Sequence, residues 1–340
     1  MTVDDDTTAD AQEVRRQSVP AARRSWTQTL SLRRISAVYL LIAIIVLFSV
    51  LAPETFPRLD TIRQVLNANA VIGLAALAIC VPLATRVFDL SFAFTMTLSG
   101  VTATALVVGG APVWLAVLAA LGAALLVGLL NALVVIVLRV ESLIATLGTG
   151  SIIQALITFV TDEESIQGNE LGGAFAAIGQ HQVLGVTLPV LYVLIAALAL
   201  WYVLEHTPLG RRMYATGFNA GAAELSGVRT KRLQFGALIV SAVASGWAGV
   251  VLASMLSSGS PSAGEPYLLP AFAAAFLGAT QFKDGRFNAW GTVVAVITLG
   301  TGTTGLALAA APPWAADVFT GVVLITALAM TAAQHRRSRA

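Results

Sequence analysis

The segment PVWLAVLAALGAALLVGLLNALVVIVL, residues 112–138, contains one polar side chain, Asn131, and no charged residue. An α-helix needs about 20 apolar residues to cross the ~30 Å hydrocarbon core of a bilayer. The segment is long enough to do so, and its composition predicts a membrane-spanning helix. Similar apolar segments recur along the chain, so this pattern decides the fold class.

The whole chain shares this apolar character. Of its 340 residues, 57% are hydrophobic and 11% are charged, and the mean hydropathy is +0.82. Soluble domains carry roughly 25% charged residues. The composition therefore indicates an integral membrane protein with many spans. The single cysteine, Cys80, excludes an intrachain disulfide, and the three histidines show no metal-ligand spacing.

Ten segments are candidate membrane helices, and together they predict an all-α polytopic fold. The segment 267–280 is short and follows Pro266, so it is predicted as a partial or broken span, and counts of eight to ten stay open. The candidates are residues 35–52, 67–85, 90–109, 112–138, 142–160, 186–204, 233–256, 267–280, 289–310 and 313–333.

The positions of Lys and Arg predict the orientation, because cytoplasmic loops carry an excess of both. With the N-terminus in the cytoplasm, only Arg58 and Arg63 of the 20 Lys and Arg residues fall outside cytoplasmic segments. Both termini are therefore predicted to be cytoplasmic. The predicted organisation is a disordered tail over 1–34, a transmembrane domain over 35–333 and a C-terminal tail over 334–340. The loops predicted to face outward are acidic, with Asp162, Glu163, Glu164, Glu170 and Glu265.

The predicted spans are rich in Ala, Gly, Ser and Thr, which favour close helix packing in lipid. A compact bundle of this kind favours transport as the function. Spans two to five and seven to ten also predict two inverted repeats. In that scheme LATRVFDLSFAF (83–94) and SSGSPSAGEPYLLPAF (257–272) occupy corresponding breaks.

Two functional classes can be weighed from single motifs. No phosphate-binding G-x-x-x-x-G-K-S/T occurs, so the chain is not expected to hydrolyse ATP. Asp89 is the strongest candidate for an ionisable group inside the membrane. It either caps the helix that begins near Phe92, with Arg86 as an ion-pair partner, or takes part in transport.

The stretch GRRMYATGFNAGAAELSGVRTKRL, residues 210–233, interrupts the apolar pattern and belongs to the one sizeable cytoplasmic loop between spans, 205–232. Asn219 predicts a helix N-cap, 220–225 a short helix and Gly227 a left-handed helix end. Gly217 and Gly221 predict a close approach of another backbone. The exposed helix and its basic flanks fit either a docking element or a loop resting on lipid head groups.

This loop resembles the cytoplasmic coupling loop of bacterial ABC sugar importer permeases of the ribose/xylose/galactose type, whose pattern reads approximately G-x-x-x-Y-A-x-G-x-N-x-x-A-A-x-x-S-G-I/V. Three more stretches are similar to family motifs in the same order: FDLSFA (88–93), GLLNALVVIVLRVESLIATLGT (128–149) and SAGEPYLLPAFAAAFLGAT (262–280). The chain departs from the family pattern at Ala93 and at 268–270. The matching loop positions are Gly210, Tyr214, Ala215, Gly217, Asn219, Ala222, Ala223, Ser226, Gly227 and Val228.

The resemblance implies a multi-pass permease of the bacterial cytoplasmic membrane that carries a monosaccharide and is not itself an enzyme. It implies a cytosolic ABC ATPase that uses ATP and Mg, an extracytoplasmic sugar-binding protein, and a second permease copy, identical or paralogous. Membrane lipid is a further partner, whereas a bound cofactor, metal or nucleic acid is not expected. The implied ATPase-coupling residues are Gly217, Asn219, Ala222, Ala223, Glu224, Ser226 and Gly227.

The expected substrate path combines aromatic faces with hydrogen-bonding side chains, which suit sugars. Packing against lipid or other helices is an alternative role for the Phe rings, and interhelical hydrogen bonding is one for Asn131. Two rival functions stay open: an ABC permease for branched-chain amino acids or nucleosides, and a proton-coupled secondary transporter that uses Asp89. The candidate path residues are Phe88, Asp89, Phe92, Asn131, Thr146 and Thr149.

Overall fold

A computed structural model describes residues 36–282 and 285–337, which form an almost entirely helical bundle. The first six helices are α1 (Ser36–Leu51), α2 (Leu59–Leu83), α3 (Phe92–Val108), α4 (Val113–Ala132), α5 (Ser142–Thr161) and α6 (Ala174–Gln180). The other seven are α7 (Leu188–His206), α8 (Pro208–Phe218), α9 (Ala220–Leu225), α10 (Thr230–Leu256), α11 (Leu268–Ala279), α12 (Ala289–Leu308) and α13 (Trp314–Arg337). The predicted tail at 1–34 lies outside the described residues.

Short irregular elements complete the chain. α4 continues as one π-helical turn, Leu133–Val137, and 3₁₀ turns occupy Asn169–Leu171 and Glu265–Tyr267. Strands β1 (Gln182–Val183) and β2 (Val186–Thr187) pair antiparallel in a hairpin, with Gln182 opposite Thr187. α13 runs to Arg337, so the helix continues into the region predicted as a C-terminal tail.

Six helices are long and apolar enough to cross a membrane: α2, α4 with its π turn, α5, α7, α10 and α12. α1, α3 and α13 contain shorter apolar stretches. α11 has 12 residues, a rise of about 18 Å against a ~30 Å hydrocarbon core. The all-α polytopic prediction is confirmed. The described residues support six spans by length, and the count of ten stays a prediction.

The largest boundary error lies at α2, which begins at Leu59 although residue 67 was the predicted start. Its first turns carry Asp60 and Arg63, whose side chains form an exposed ion pair at 3.3 Å. Hydropathy identifies the part of a helix that lies in hydrocarbon, and it does not detect a polar extension of that helix into water.

α2 is the central helix of the bundle. In its most apolar window 72% of the residues are buried, whereas the corresponding share in α7 is 17%. α10 packs against α2, α3 and α4, while α11 packs against α2, α12 and α13. A Cβ added at Gly249 of α10 would lie 2.0 Å from the carbonyl oxygen of Met96 in α3. These two helices therefore touch through their backbones, as small residues allow in membrane bundles.

Two breaks interrupt the α-helices: 84–91 after α2, and 257–267, which ends in a 3₁₀ turn, after α10. In the first, the amides of Phe88 and Leu90 donate to side-chain hydroxyls of α5. In the second, the Gly264 amide donates to Thr97 Oγ1 at 3.0 Å, and Gln154 Nε2 donates to the Pro261 carbonyl at 3.0 Å. Irregular backbone is tolerated at membrane depth only where protein or water satisfies it, and here neighbouring helices do so.

Candidate functional site

The 205–232 segment contains a helix, α8, that the sequence reading treated as loop. Thr207 caps it by accepting a hydrogen bond from the Gly210 amide at 3.2 Å, and Pro208 occupies the first helical position. A Thr-Pro pair at these positions is a recognised helix-start signal. That signal was present in the sequence and would have predicted the helix.

The short helix α9 has the predicted form. Its cap residue Asn219 accepts a hydrogen bond from the Ala222 amide through Oδ1 at 3.1 Å. Gly227 has φ +81° and follows the last turn. The amide of Val228 donates to the Ala223 carbonyl at 2.9 Å, which closes the helix end. The predicted N-cap, helix bounds and left-handed glycine are all confirmed.

α9 turns one side chain inward and most of the others outward. Ala223 is buried against the bundle, whereas Ala222, Glu224 and Ser226 are exposed. Leu225 is 93% exposed, and sequence reasoning missed it. Among the described residues, none buries this apolar side chain, which lies on a helix of mostly small residues.

The carboxylate of Glu224 accepts a hydrogen bond from the hydroxyl of Thr230. Thr230 is the first residue of α10 and is itself buried. α9 is therefore fastened to the start of a membrane-spanning helix through this contact. The exposed position predicted for Glu224 is correct, but its carboxylate already forms a hydrogen bond with Thr230 of the same chain.

Gly217 of this segment lies against the backbone of the first break. A Cβ at Gly217 would lie 2.3 Å from the carbonyl oxygen of Ala84. The expectation of a close backbone approach is thus confirmed, although Gly217 is helical and has no positive φ. No backbone of the described residues approaches the exposed Gly221, where the nearest atom to an added Cβ is Asn219 Oδ1 at 3.5 Å, so the expectation is not met within this chain. Gln234 adds a second link, donating to the Thr85 carbonyl at 3.2 Å.

Tyr214 connects α8 to the loop before α12. Its hydroxyl donates to the Phe287 carbonyl at 2.8 Å, and the Arg286 guanidinium lies 5.5 Å from the centre of its ring. A tyrosine hydroxyl keeps its proton at neutral pH, and burial first, and then the charge of Glu205, raise the pKa of Tyr214 further above its ordinary value. Tyr214, Arg286 and Phe287 line a cleft of about 390 Å³, and Arg86 lines it as well.

Asp89 lies at the end of the first break and is completely buried. Its Oδ1 accepts from the amide of Ser91 at 3.1 Å and from the Ser91 hydroxyl at 2.7 Å, and its Oδ2 accepts from the Ser241 hydroxyl at 2.7 Å. The carboxylate therefore ties the start of α3 to α10. The expected pairing with Arg86 is wrong: Arg86 is exposed, and Asp89 forms no ion pair among the described residues.

Three further candidates lie around the same break. Asn131 of α4 donates from Nδ2 to Ser91 Oγ at 2.7 Å, while its buried Oδ1 has no partner in the described part of the chain. Thr146 accepts from the Leu90 amide at 3.0 Å. Thr149 is buried one turn further along α5 and donates to the carbonyl of Ala145. Asn131 of α4 and Thr146 of α5 thus bond to Ser91 and Leu90, which directly follow Asp89, whereas the hydrogen bond of Thr149 stays within α5.

The two phenylalanines of the candidate path differ in exposure. Phe92 is completely buried, with its ring 5.8 Å from that of Phe272 in an edge contact. Phe88 is half-buried and stacks on Phe276 with centroids 6.5 Å apart. Phe92 therefore serves helix packing, while Phe88 retains an accessible part of its surface. Apart from Thr149, the path residues lie in or next to the first break or bond to it. Contact of any of them with a substrate stays a prediction.

The chemistry of the site is that of binding and movement. In the described ranges no group of three or more His, Cys, Asp or Glu side chains is placed to hold a metal ion. The arrangement consists of an exposed helix, buried hydrogen bonds and backbone contacts that reach into a membrane bundle.

Comparison with protein families matches residues 61–328 to a family described as branched-chain amino acid transport system / permease component. The ribose import permease protein RbsC of Bacillus subtilis is 31% identical over 288 residues, which is 85% of this chain and 89% of that protein. The D-allose transport system permease protein AlsC of Escherichia coli is 30% identical over 295 residues, 86% and 89% of the two chains.

A more divergent relative is the autoinducer 2 import system permease protein LsrD of Salmonella paratyphi A. It is 28% identical over 292 residues, which is 84% of this chain and 88% of that protein. No solved structure gives a significant match to the chain.

Proposed function

The chain belongs to the branched-chain amino acid transport system permease component family, and we propose that it is the transmembrane permease subunit of an ABC importer for a monosaccharide. The names of two relatives, which state ribose import and D-allose transport, support a monosaccharide. The observation that carries the transport mechanism is the form of α9, a capped helix that presents Leu225 outward while Ala223 faces the bundle.

In this proposal a cytosolic ATPase binds α9, and ATP with Mg is used there and not in this chain. Closure of the ATPase pair pushes on α9. The Glu224–Thr230 contact passes the displacement to α10, and the contact of Gly217 with Ala84 passes it to the first break. Alternating access then follows as largely rigid-body movement around a fixed path.

We place the protein in the bacterial cytoplasmic membrane, with both termini and α9 on the cytoplasmic side. The distribution of Lys and Arg supports this orientation. The loops on the other side would receive sugar from an extracytoplasmic binding protein. A second permease copy, identical or paralogous, would complete the channel.

The inverted-repeat arrangement is part of the proposal. A long helix, a break and three further helices occur twice: α2 to α5 around the break at 84–91, and α10 to α13 around the break at 257–267. This order of elements supports two equivalent blocks. Superposition of the two blocks in an experimentally determined structure, with the membrane normal reversed, would test it.

Reconstitution tests the function directly. The chain would be purified together with the ATPase that accompanies it from native membranes, placed in liposomes and supplied with the binding protein. We expect uptake of ribose or allose that requires ATP on the side of the liposome membrane where the ATPase is bound. ATP-independent uptake that collapses with the proton gradient would instead favour the secondary transporter.

A second candidate substrate class, branched-chain amino acids, is favoured by the description of the matching family. The two classes are separated by competition in the same liposomes. Excess unlabelled ribose should suppress uptake of the labelled solute if the proposal holds. Uptake that leucine suppresses and ribose does not would assign the amino-acid class.

A further inference from the structure

A long apolar groove runs along the outside of the bundle between α7 and α10. Both helices pack against α2, which forms the floor of the groove with Leu74 and Val81. Its walls include Leu200 of α7 and Trp247 of α10. The groove encloses about 500 Å³. Its interior surface is almost wholly apolar, so water is a poor occupant.

One end of this groove is charged. Arg232 is the single charged residue among those that line it, and α8 closes the same end with Leu209 and Met213. Arg232 is exposed, and among the described residues no carboxylate forms an ion pair with it. It is the third residue of α10, so it lies where that helix emerges from the apolar part of the bundle.

We propose that the groove binds a phospholipid with an anionic head group. One acyl chain lies on α2 between α7 and α10, and the phosphate accepts hydrogen bonds from the Arg232 guanidinium. A basic side chain at the mouth of a cleft between membrane helices suits an anionic head group, and the fork of guanidinium donors matches phosphate oxygens.

The dimensions agree with this occupant. Arg232 and Trp247 are separated by about 22 Å along α10 at 1.5 Å per residue. One leaflet contributes about 15 Å to the ~30 Å hydrocarbon core. The groove therefore has room for the full depth of one acyl chain while the head group stays at Arg232.

The test uses a phosphatidylglycerol with a photoreactive diazirine in its acyl chain, and a phosphatidylcholine with the same label. The full chain is placed in nanodiscs, irradiated and digested, and the share of label on groove peptides of α2, α7 and α10 is measured. The wild type should give a higher share with phosphatidylglycerol. Arg232→Gln should lower that share about fivefold, since one basic residue near the membrane surface contributes about 1 kcal/mol.

Two matched controls separate the site from general effects. Arg229→Gln removes a nearby exposed charge that does not line the groove, and it should leave the labelling unchanged. Gly236→Phe fills the groove, because an added Cβ at Gly236 meets nothing within 4 Å. Gly122→Phe places the same ring at an equally open glycine that does not line the groove. Groove labelling should fall in the former and persist in the latter.

Three results would overturn the proposal. Equal groove labelling by the two lipids would remove the role of the head group, and labelling that survives Gly236→Phe would place the lipid elsewhere. A disulfide between two chains carrying Val240→Cys would show that a second permease copy covers this face.

Discussion

Leu225→Ala is the sharpest probe of the proposed ATPase contact. Leu225 is 93% exposed, so truncating it removes almost no packing within this chain. Exposed substitutions usually change the free energy of unfolding by no more than about 0.5 kcal/mol. The variant should therefore fold, insert and reach wild-type membrane levels.

The cost should appear in association with the ATPase. Burying a Leu side chain contributes about 1.5–3 kcal/mol, which corresponds to roughly 10- to 150-fold in affinity. Binding of the purified chain to the ATPase, measured by titration in detergent, should weaken within that range. Sugar uptake at limiting ATPase should decline with it.

Leu184→Ala is the matched control. Leu184 is 94% exposed, at the turn between β1 and β2. α7 has 19 residues between that hairpin and α8, which separates the two leucines by about 28 Å of helix. Normal ATPase affinity in the Leu184 variant and loss in the Leu225 variant is the expected pair of results. Wild-type affinity and uptake in both variants would refute a docking role for α9.

Four other outcomes are expected. Gly217→Ala should destabilise the chain by about 1–3 kcal/mol and reduce uptake, because its Cβ would press on the Ala84 carbonyl. The control Gly221→Ala should leave both thermal unfolding and uptake unchanged. An impermeant maleimide applied to intact cells should label a cysteine at the exposed Glu164 and spare one at Gly221; the reverse pattern would invert the topology. Asp89→Asn should lower the melting temperature by weakening one buried hydrogen bond, yet its remaining uptake should survive a protonophore, in contrast to a proton carrier. The purified chain alone should show no ATPase activity above background, and turnover that a mutation in this chain removes would contradict that.

The helices were largely predictable because membrane hydropathy is a one-dimensional signal. Segment 112–138 became a helix over 113–137 and segment 142–160 one over 142–161, since hydrocarbon sets both the length and the composition of a span. α8 was missed because it lies outside the apolar pattern, where hydropathy gives no signal. Its start is marked by Thr207 and Pro208 alone.

The contacts of the site were less predictable than its local shape. Asn219 and Gly227 follow local rules of helix capping and were located correctly. The partner of Asp89 was not, because Ser241 is 152 residues away in the sequence. Nothing in a single sequence distinguishes that serine from the others on small-residue helices. The nearby Arg86 was chosen on proximity, and the fold instead exposes it.

The contacts of the 205–232 segment determine how movement of α9 can reach the membrane. One route is direct, since the Glu224 carboxylate holds Thr230 at the start of α10. A second route passes from Gly217 to Ala84 in the first break. Both routes end at Asp89, which lies in that break and accepts a hydrogen bond from Ser241 of α10. A push on α9 therefore cannot move α10 past the break without stretching the Asp89–Ser241 bond, so the two must move together or the bond must break.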